Sequence, residues 1–326
     1  MSGPVLVLGA TGFIGGHIVR AAIEQGWEVR GLRRRPGAQG HVQGVPVRWY
    51  DGNLDEPESL RAALDGVQVL FHAAAYYPQD SRPVAAHLAY SVQQIRGVLD
   101  AAAAAGVERI VYTSSLSTIG RPPKGSGRLA DERDAYVPGS LSASAYYECK
   151  YAMESEVLQA SATGREIVVT NPTLVLGPGD LHLAVGRVII PLLRGWGLAW
   201  LPGDVNVIDV RDCADAHLAA ARLGERGERF ILGGHNLSVH ALQDLIADGA
   251  GVRRPRWGIS EGVMDRLARL LAHLPGLRVY SGHLHALSHW QGFNTRKAHD
   301  QLGLIARPLQ VTIAEMIEWY RSSGHL

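Results

Sequence analysis

The sequence predicts an α/β protein with a doubly wound parallel sheet and a smaller C-terminal α/β substrate lobe. Through the first half of the 326 residues, short apolar runs alternate with segments of helical periodicity. The apolar runs are nearly continuous, which is typical of parallel strands buried on both faces. After residue 171 the pattern loosens into glycine- and proline-rich stretches, which indicates the second lobe.

The individual elements follow from the same patterns. The predicted strands are residues 5–8, 28–32, 45–50, 67–73, 109–114, 166–170, 205–210 and 230–232. The predicted helices are residues 14–25, 59–64, 86–105, 145–160, 212–223, 239–249, 262–273 and 312–321. Residues 33–44, which contain three glycines, predict a mobile loop.

The composition argues against several classes of protein. Hydrophobic residues make up 46% of the chain, charged residues 19%, and the formal net charge is +1. A nearly neutral chain lacks the global field that attracts nucleic acid. The two cysteines, Cys149 and Cys213, cannot build a disulfide framework, and no apolar stretch reaches the roughly 18 residues of a membrane span. We therefore expect a cytoplasmic protein without a nucleic-acid partner or a membrane span.

A glycine-rich motif, GATGFIG at residues 9–15, follows the first strand and opens the first helix. Gly9 permits a tight turn, Gly12 lets the backbone approach a pyrophosphate, and Gly15 lets the helix pack closely. Free amides and the positive end of the helix dipole then hold the phosphates. A plain glycine turn is the alternative, but the position in a strand–turn–helix unit favours a dinucleotide and a Rossmann-type sheet.

The end of the second strand predicts which dinucleotide binds. An NAD site usually carries an acidic residue there, whereas this chain has Arg33-Arg34-Arg35. Guanidinium groups bind a 2′-phosphate that a carboxylate would repel, so we expect NADP(H) rather than NAD(H). A solvated basic loop is the alternative. We expect residues 1–172 with 205–234 to form the NADP-binding domain, and 173–204 with 235–326 the substrate-binding lobe.

Tyr146 and Lys150 are four residues apart in a predicted helix, so their side chains share one face. An ammonium near a phenol lowers the pKa of the tyrosine, which suits it to proton transfer near neutral pH. An aromatic–cation pair on an amphipathic helix is the alternative. Lys150 is one of only three lysines, with Lys124 and Lys297, so chance explains the spacing poorly.

The fifth predicted strand ends in two serines, at the sheet edge where ligands bind in open α/β folds. A hydroxyl there can hold a substrate carbonyl beside Tyr146. We choose Ser115 for this role, with Ser114 as the alternative. A serine that only caps the strand remains a third possibility.

Together these residues resemble the extended short-chain dehydrogenase/reductases, over almost the whole chain. The likeness is strongest to the dihydroflavonol-reductase-like branch and to the hopanoid-associated sugar epimerase-like proteins of bacteria. The stretches that carry it are GATGFIG at 9–15, FHAAA at 71–75, VYTSS at 111–115, YYECK at 146–150, NP at 171–172, GP at 177–178, VIDVRD at 207–212 and ERFILGGHNL at 228–237.

The resemblance implies that Ser115, Tyr146 and Lys150 form a catalytic triad, in which Lys150 also binds the nicotinamide ribose. It places Arg33 where NAD-using epimerases carry an aspartate, and Arg34 where plant reductases carry an arginine for the 2′-phosphate. The cofactor-binding residues implied by the motifs and the resemblance are Gly9, Thr11, Gly12, Phe13, Ile14, Gly15, Arg33, Arg34, Asn53, Leu54, Ala73, Ala74, Ala75, Tyr146, Lys150 and Pro172.

Two positions depart from the family pattern. Asn53 stands where the family usually has an aspartate at the adenine, so one contact to the adenine amino group is expected to change. Ser91 stands where many members have an asparagine at the head of a long helix, which puts the ordering of water and Lys150 in doubt.

Three functions remain open. The arginines favour an NADPH-consuming reductase or dehydrogenase. A nucleotide-sugar epimerase with transiently oxidised sugar is the second hypothesis, and a non-catalytic NADP-sensing regulator is the third. A dehydratase is disfavoured because the Thr-Asp-Glu of such enzymes is absent after the fifth strand. The resemblance also implies a homodimer that pairs its two long helices.

Two further clusters have competing interpretations. His283, His285 and His289 suggest a metal site, but no carboxylate or cysteine lies near them in sequence, so we expect no metal. Three tryptophans in the second lobe suit either an apolar pocket wall or the core of that lobe: Trp196, Trp200 and Trp257.

Overall fold

The computed structural model describes residues 3–74, 76–78, 80, 82–141, 144–183, 185–197, 199–260, 262–263, 266 and 290–326. The strands are β1 (Val5–Leu8), β2 (Val29–Arg33), β3 (Arg48–Asp51), β4 (Val69–His72), β5 (Arg109–Thr113), β6 (Ile167–Pro172), β7 (Leu174–Leu176), β8 (Ala199–Trp200), β9 (Asp204–Asp209), β10 (Arg229–Leu232), β11 (His235–Ser238) and β12 (Trp257–Gly258). The helices are α1 (Phe13–Glu24), α2 (Arg61–Leu64), α3 (Val84–Ala104), α4 (Ala145–Ala162), α5 (Gly186–Leu193), α6 (Val210–Leu223), α7 (Val239–Ala250), α8 (Arg296–Leu302) and α9 (Leu309–Ser322).

Seven parallel strands form the larger sheet, in the order β10-β6-β5-β4-β1-β2-β3. The predicted doubly wound α/β fold is therefore confirmed. The strand order reverses between β1 and β4, and in such sheets ligands bind beyond the carboxyl ends of the strands at this switch point. The glycine motif follows β1, and the alanines of the FHAAA stretch follow β4.

Helices cover both faces of this sheet. On one face α1 packs against α6, and their apolar side chains form one core with β1, β4 and β10. On the other face α3 packs against α4, and their side chains form a second core with α2 and the alternate residues of the strands. The side chains of β1 are wholly buried, as a strand covered on both faces requires.

A second sheet, in the order β11-β9-β7, belongs to a smaller core with α5, α7 and α9. The strand predicted at 205–210 forms as β9, but it pairs with β7 and β11 rather than within the large sheet. Val205 and Val207 of β9 face the smaller core, while Ile208 packs into the core around α1 and α6. The apolar period predicts a strand here but not the sheet it joins.

Other local structure departs from the sequence prediction. The segment expected to be a loop, residues 33–44, contains a 3₁₀ turn at Gly40–Val42 that packs on the start of α1. The strands β7 and β11 and the helices α5 and α8 were not predicted. The predicted helix at 262–273 lies almost wholly outside the described residues. Among the described helices, none combines the length and apolar character needed to cross a bilayer.

Candidate active site

The turn after β1 brings three glycines into close contact with the neighbouring backbone. Gly9 has φ +83°, and a Cβ atom there would lie 2.9 Å from the backbone of Ala73. The Gly12 amide donates to the Gly9 carbonyl at 2.8 Å. A Cβ atom on Gly15 would lie only 2.1 Å from that same carbonyl oxygen. The motif therefore needs glycine for a compact turn against the end of β4.

The start of α1 is suited to an anion. The helix begins at Phe13, no side chain caps it at Gly12, and its first turn carries no acidic residue. The first amides of a helix, here those of Phe13, Ile14 and Gly15, have no partner within the helix. Together with the positive end of the helix dipole they fit the diphosphate of a dinucleotide. Thr11 lies half-buried at the tip of the turn.

Arg33 and Arg34 lie at the carboxyl end of β2 in different surroundings. The Arg33 Nε atom lies 2.5 Å from Asp51 Oδ1, and its guanidinium lies 5.6 Å from the centre of the Trp49 ring. Arg34 is exposed and makes no hydrogen bond or ion pair within the described part of the chain. Arg34 is therefore the more available of the two cations.

The other described residues predicted to touch the cofactor lie at or just beyond the carboxyl ends of β3, β4 and β6. Ala73 and Ala74 follow β4 beside Gly9, while Ala75 lies outside the described residues. The Asn53 side-chain oxygen accepts the Asp55 amide at 3.3 Å, so it stabilises its own turn. Leu54 packs on the core beneath α3, and Pro172 ends β6.

The structure brings Tyr146 and Ser115 together. Ser115 begins the 3₁₀ turn Leu116–Thr118 after β5, and its Oγ atom accepts the Ser117 amide at 3.2 Å. The Tyr146 hydroxyl, in the first turn of α4, donates to Ser115 Oγ at 3.1 Å. Ser114 Oγ is buried and has no hydrogen-bond partner among the described residues. Ser115 rather than Ser114 is thus the hydroxyl that faces Tyr146.

Lys150 is buried one turn further along α4. It makes no hydrogen bond or ion pair with any residue that the structure describes. Burial lowers the pKa of Lys150 to about 8, although the charge of Glu154 acts in the opposite direction. His72, at the end of β4, is also buried; burial and the charge of Lys150 lower the pKa of His72 to about 4. His72 is therefore a neutral neighbour of the lysine at physiological pH.

That Lys150 lowers the pKa of Tyr146 stays a prediction, because burial dominates this pKa in the protein as described. Burial raises the pKa of the Tyr146 phenol above its ordinary value, and the hydrogen bond with Ser115 only partly opposes this. The cost of burying a phenolate therefore dominates the pKa of Tyr146 in the protein as described.

Sequence reasoning missed a polar network directly beneath Ser115. The Asn171 Nδ2 atom lies 3.2 Å from the Ser115 carbonyl oxygen and 2.7 Å from Glu154 Oε2. The Thr118 hydroxyl lies 2.7 Å from the same Glu154 oxygen. Arg229 Nε, from β10, lies 3.0 Å from Glu154 Oε1. Asn171 is 17 residues from Glu154 in sequence, Thr118 is 36 residues from Glu154, and Arg229 is 111 residues from Thr118, so no local motif could reveal this network.

Aromatic side chains surround Tyr146. The Tyr77 ring lies 5.1 Å from the Tyr146 ring and is 48% exposed, so it stands at the mouth of the site. On the other side Tyr147 contacts Tyr146 edge-on at 5.9 Å. Glu148 accepts the Tyr136 hydroxyl at 2.6 Å, which holds the preceding loop against α4. No motif or periodicity in the sequence marks Tyr77 or Tyr136 as part of the site.

The remaining expectations have mixed outcomes. Ser91 lies between α3 and α4, where it donates to the Leu88 carbonyl at 2.9 Å and contacts the buried thiol of Cys149. His283, His285 and His289 lie outside the described residues, and the described residues contain no cluster of metal-binding side chains. In the second lobe Trp196 and Trp257 are exposed, by 66% and 74%, so neither is a core residue.

Comparisons with known proteins agree with this architecture. Residues 5–233 match the model of the NAD dependent epimerase/dehydratase family. A Synechocystis sp. protein with the provisional name dihydroflavonol 4-reductase is 32% identical, over 98% of this chain and 95% of its own. Sterol demethylase protein B of Methylococcus capsulatus is 28% identical, over 98% of both chains. The crystal structure of PA4631, a nucleoside-diphosphate-sugar epimerase from Pseudomonas aeruginosa, is 28% identical, covers 100% of both chains and has a TM-score of 0.84.

The fold and the site define an extended short-chain dehydrogenase/reductase, a class of enzymes that depend on a nicotinamide cofactor. The chain belongs to the NAD dependent epimerase/dehydratase family. Its relatives include proteins named as reductases and as epimerases, so membership of the family does not by itself identify the net reaction.

Proposed function

We propose that this protein is an NADP(H)-dependent oxidoreductase that transfers hydride to or from a carbonyl or secondary alcohol. The observation that carries the proposal is the 3.1 Å hydrogen bond from the Tyr146 hydroxyl to Ser115 Oγ at the carboxyl end of β5. Two hydroxyl groups in this arrangement can hold one substrate oxygen between them. The reductase relative from Synechocystis supports the same chemistry.

Each residue of the triad has a distinct task in this proposal. Ser115 orients the substrate oxygen through its hydroxyl, and Tyr146 donates the proton to that oxygen as the carbonyl is reduced. The Tyr146 phenol is protonated at neutral pH, since its ordinary pKa is about 10 and burial raises it further. Lys150 supplies a positive charge beneath the tyrosine, which stabilises the phenolate left behind. A bound nicotinamide supplies or accepts the hydride.

The preference for NADP(H) rests on the arginines at the end of β2. Arg34 is exposed without a partner among the described residues, and Arg33 is beside it. A 2′-phosphate at this position would meet two guanidinium groups. The nearby carboxylate of Asp51 is already paired with Arg33 and would repel the phosphate less. Gly9, Gly12 and Gly15 would hold the diphosphate.

A nucleotide-sugar epimerase is the second candidate, because the structure of the epimerase PA4631 aligns with the whole chain and has a TM-score of 0.84. The same triad would serve it, since transient oxidation also needs a proton acceptor and a hydride acceptor. It would differ in returning the hydride to the substrate, so the cofactor would show no net change.

A single assay separates these reactions. The purified protein is incubated with NADPH and a panel of aryl and alkyl ketones and aldehydes, and in parallel with NADP⁺ and UDP-sugars, while NADPH absorbance and products are followed. We expect NADPH consumption equal to alcohol formation. Conversion of a UDP-sugar without net formation of NADPH would favour the epimerase instead, and catalysis in neither arm would favour the NADP-sensing regulator.

We also infer a homodimer that pairs α3 and α4 with the same helices of a second copy, as the family resemblance implies. Light scattering on the purified protein should give twice the mass of one chain. A monomer mass at micromolar concentration would contradict this part of the proposal.

A further inference from the structure

The carboxylate of Glu154 lies in the interior, eight residues after Tyr146 and four after Lys150 on α4. Its side chain is 5% exposed, which is rare for a glutamate unless the charge is compensated. Arg229 supplies the compensation from β10, with Nε 3.0 Å from Glu154 Oε1. A buried ion pair of this kind adds little to stability compared with apolar side chains, so its presence calls for another role.

The second oxygen of Glu154 connects to the active-site turn. Glu154 Oε2 accepts Asn171 Nδ2 at 2.7 Å and lies 2.7 Å from the Thr118 hydroxyl. Both of these side chains also reach the Ser115 carbonyl oxygen, Asn171 at 3.2 Å and Thr118 at 2.9 Å. The single Thr118 proton is therefore shared between the carboxylate and the Ser115 carbonyl. Through two intermediaries, Glu154 fixes the backbone that presents Ser115.

Arg229 extends this network to the outer side of the turn. Its Nη2 atom donates to the Thr118 carbonyl and its Nη1 atom to the Glu132 carbonyl, both at 3.1 Å. The turn at Leu116–Thr118 is thus held from below by Glu154 and from the side by Arg229. Removing the Glu154 charge would leave the mostly buried Arg229 guanidinium without this counter-charge.

Glu154 also faces Lys150, since residues four apart on a helix are neighbours on one surface. The other titratable or charged groups around this pair are His72 from β4, Tyr112 from β5 and Arg229 from β10. His72 is neutral, because burial and Lys150 lower its pKa to about 4. Tyr112 is neutral as well, because burial and Glu154 raise its pKa. Glu154 is therefore the anion that acts on the lysine among the described residues.

We propose that Glu154 is a positioning residue of this active site: its carboxylate holds, through Asn171 and Thr118, the turn that presents Ser115 to Tyr146, and its charge keeps the Lys150 side chain an ammonium. The catalytic part of this inference, that Glu154 positions Ser115 for the reaction, rests on the proposed function. Its electrostatic part concerns Lys150 alone and can be measured without a substrate.

The scarcity of lysine makes that measurement direct. The chain has three lysines, Lys124, Lys150 and Lys297, so protein labelled with ¹³C at lysine Cε has three signals to titrate by NMR. The Lys124→Arg and Lys297→Arg variants assign the signal of Lys150. We expect its midpoint to fall by roughly one pH unit in Glu154→Gln, because an opposite charge nearby shifts a pKa by about that amount or more.

Glu156→Gln is the matched control, since it removes a carboxylate from the same helix where Glu156 pairs at the surface with Arg96. Its Lys150 midpoint should equal that of the unmodified protein. If Glu154→Gln also leaves the midpoint unchanged, the proposal is overturned. If this variant fails to fold, the double variant Glu154→Gln/Arg229→Gln removes both buried charges, and a smaller fall in midpoint is expected because loss of the Arg229 cation acts in the opposite direction.

The catalytic part has its own readout. In the NADPH-dependent assay, Glu154→Gln should lower kcat about tenfold and change the Kd for NADPH much less, because Ser115 orients the reacting oxygen and Lys150 supports the tyrosine that protonates it. An unchanged kcat would overturn the positioning role. A failure of every carbonyl substrate with the unmodified protein would count against the proposed function, while the NMR result would stand separately.

Discussion

Arg33 is tied to Asp51 by a contact of 2.5 Å between Nε and Oδ1, whereas its neighbour Arg34 makes no such contact with a described residue. Arg33 and Asp51 are opposite each other on the neighbouring strands β2 and β3, so the sheet register itself brings them together. Trp49, on the same edge strand, packs against the Arg33 guanidinium. The two arginines that look equivalent in sequence therefore differ in their freedom to meet a phosphate.

The first prediction concerns this difference. Arg34→Ala should raise the Kd for NADPH about tenfold or more and leave the Kd for NADH unchanged, because a charged hydrogen bond contributes about 1.5–3 kcal/mol. Arg33→Ala should have a smaller effect, and Asp51→Asn should tighten NADPH by releasing Arg33. Titration of NADPH fluorescence measures all three, with Arg35→Ala as the control. Equal losses in Arg33→Ala and Arg34→Ala would refute the distinction.

The second prediction separates two glycines of the motif. Gly15→Ala should destabilise the fold by several kcal/mol, because its Cβ atom would lie 2.1 Å from the Gly9 carbonyl oxygen. Gly12→Ala should leave the Tm nearly unchanged, since its Cβ atom would meet only that oxygen at 3.1 Å, yet it should weaken NADPH binding more than tenfold. Thermal unfolding and NADPH titration test the pair. If the Gly12→Ala protein bound NADPH normally, the diphosphate would not bind at this turn.

The third prediction follows from the pKa of Lys150, which burial lowers to about 8. Below this pH the side chain is an ammonium and supports Tyr146; above it the charge is lost. The pH profile of kcat/KM reports groups of the free enzyme, so for carbonyl reduction it should decline above about pH 8. Steady-state kinetics with NADPH provide the measurement. A profile that stays flat to about pH 10 would mean that Lys150 keeps its charge despite burial.

The fourth prediction concerns stability in acid. Burial lowers the pKa of His17, His72 and His217 to about 4 in the folded protein. Between about pH 6.5 and pH 4 the unfolded chain binds more protons at these positions, so the free energy of unfolding falls as the pH falls. Each histidine contributes a slope of up to about 1.4 kcal/mol per pH unit.

Urea denaturation at about pH 7 and about pH 5 tests this slope. His217 is bonded to Thr113 and Thr170, so His217→Gln should lower stability at neutral pH and also reduce the loss on acidification. The control is His299→Gln, whose side chain is 66% exposed. A His217→Gln protein with the same acid slope as the unmodified chain would contradict the assignment.

Sequence predicted most of the large sheet, because its strands are apolar runs with a helix after each, and these signals are local. The placement of Tyr146 and Lys150 one turn apart on a single helix was predicted for the same reason, while their catalytic role stays a prediction. The position of β9 was not predicted, because its alternate residues face two different cores and its period does not distinguish them. Contacts between distant segments also escaped prediction, above all Glu154 with Arg229 and Arg33 with Asp51.

The raised pKa of Tyr146 marks the limit of arguments from spacing. Four residues of separation predict proximity to Lys150, but burial of both groups decides the sign of the shift. The phenol is consequently protonated at neutral pH in the protein as described, which is the form that carbonyl reduction requires.

The most direct test of that proposal is single-turnover reduction of a ketone by enzyme-bound NADPH in Tyr146→Phe, compared with Tyr147→Phe. Tyr147 is the adjacent buried tyrosine on the same helix, so its variant controls for loss of a hydroxyl from this region. We predict a fall of at least about 100-fold in the rate of NADPH oxidation for Tyr146→Phe, with unchanged NADPH binding, and a much smaller change for Tyr147→Phe. Equal rates for Tyr146→Phe and the unmodified enzyme would contradict the role of Tyr146 as the proton donor.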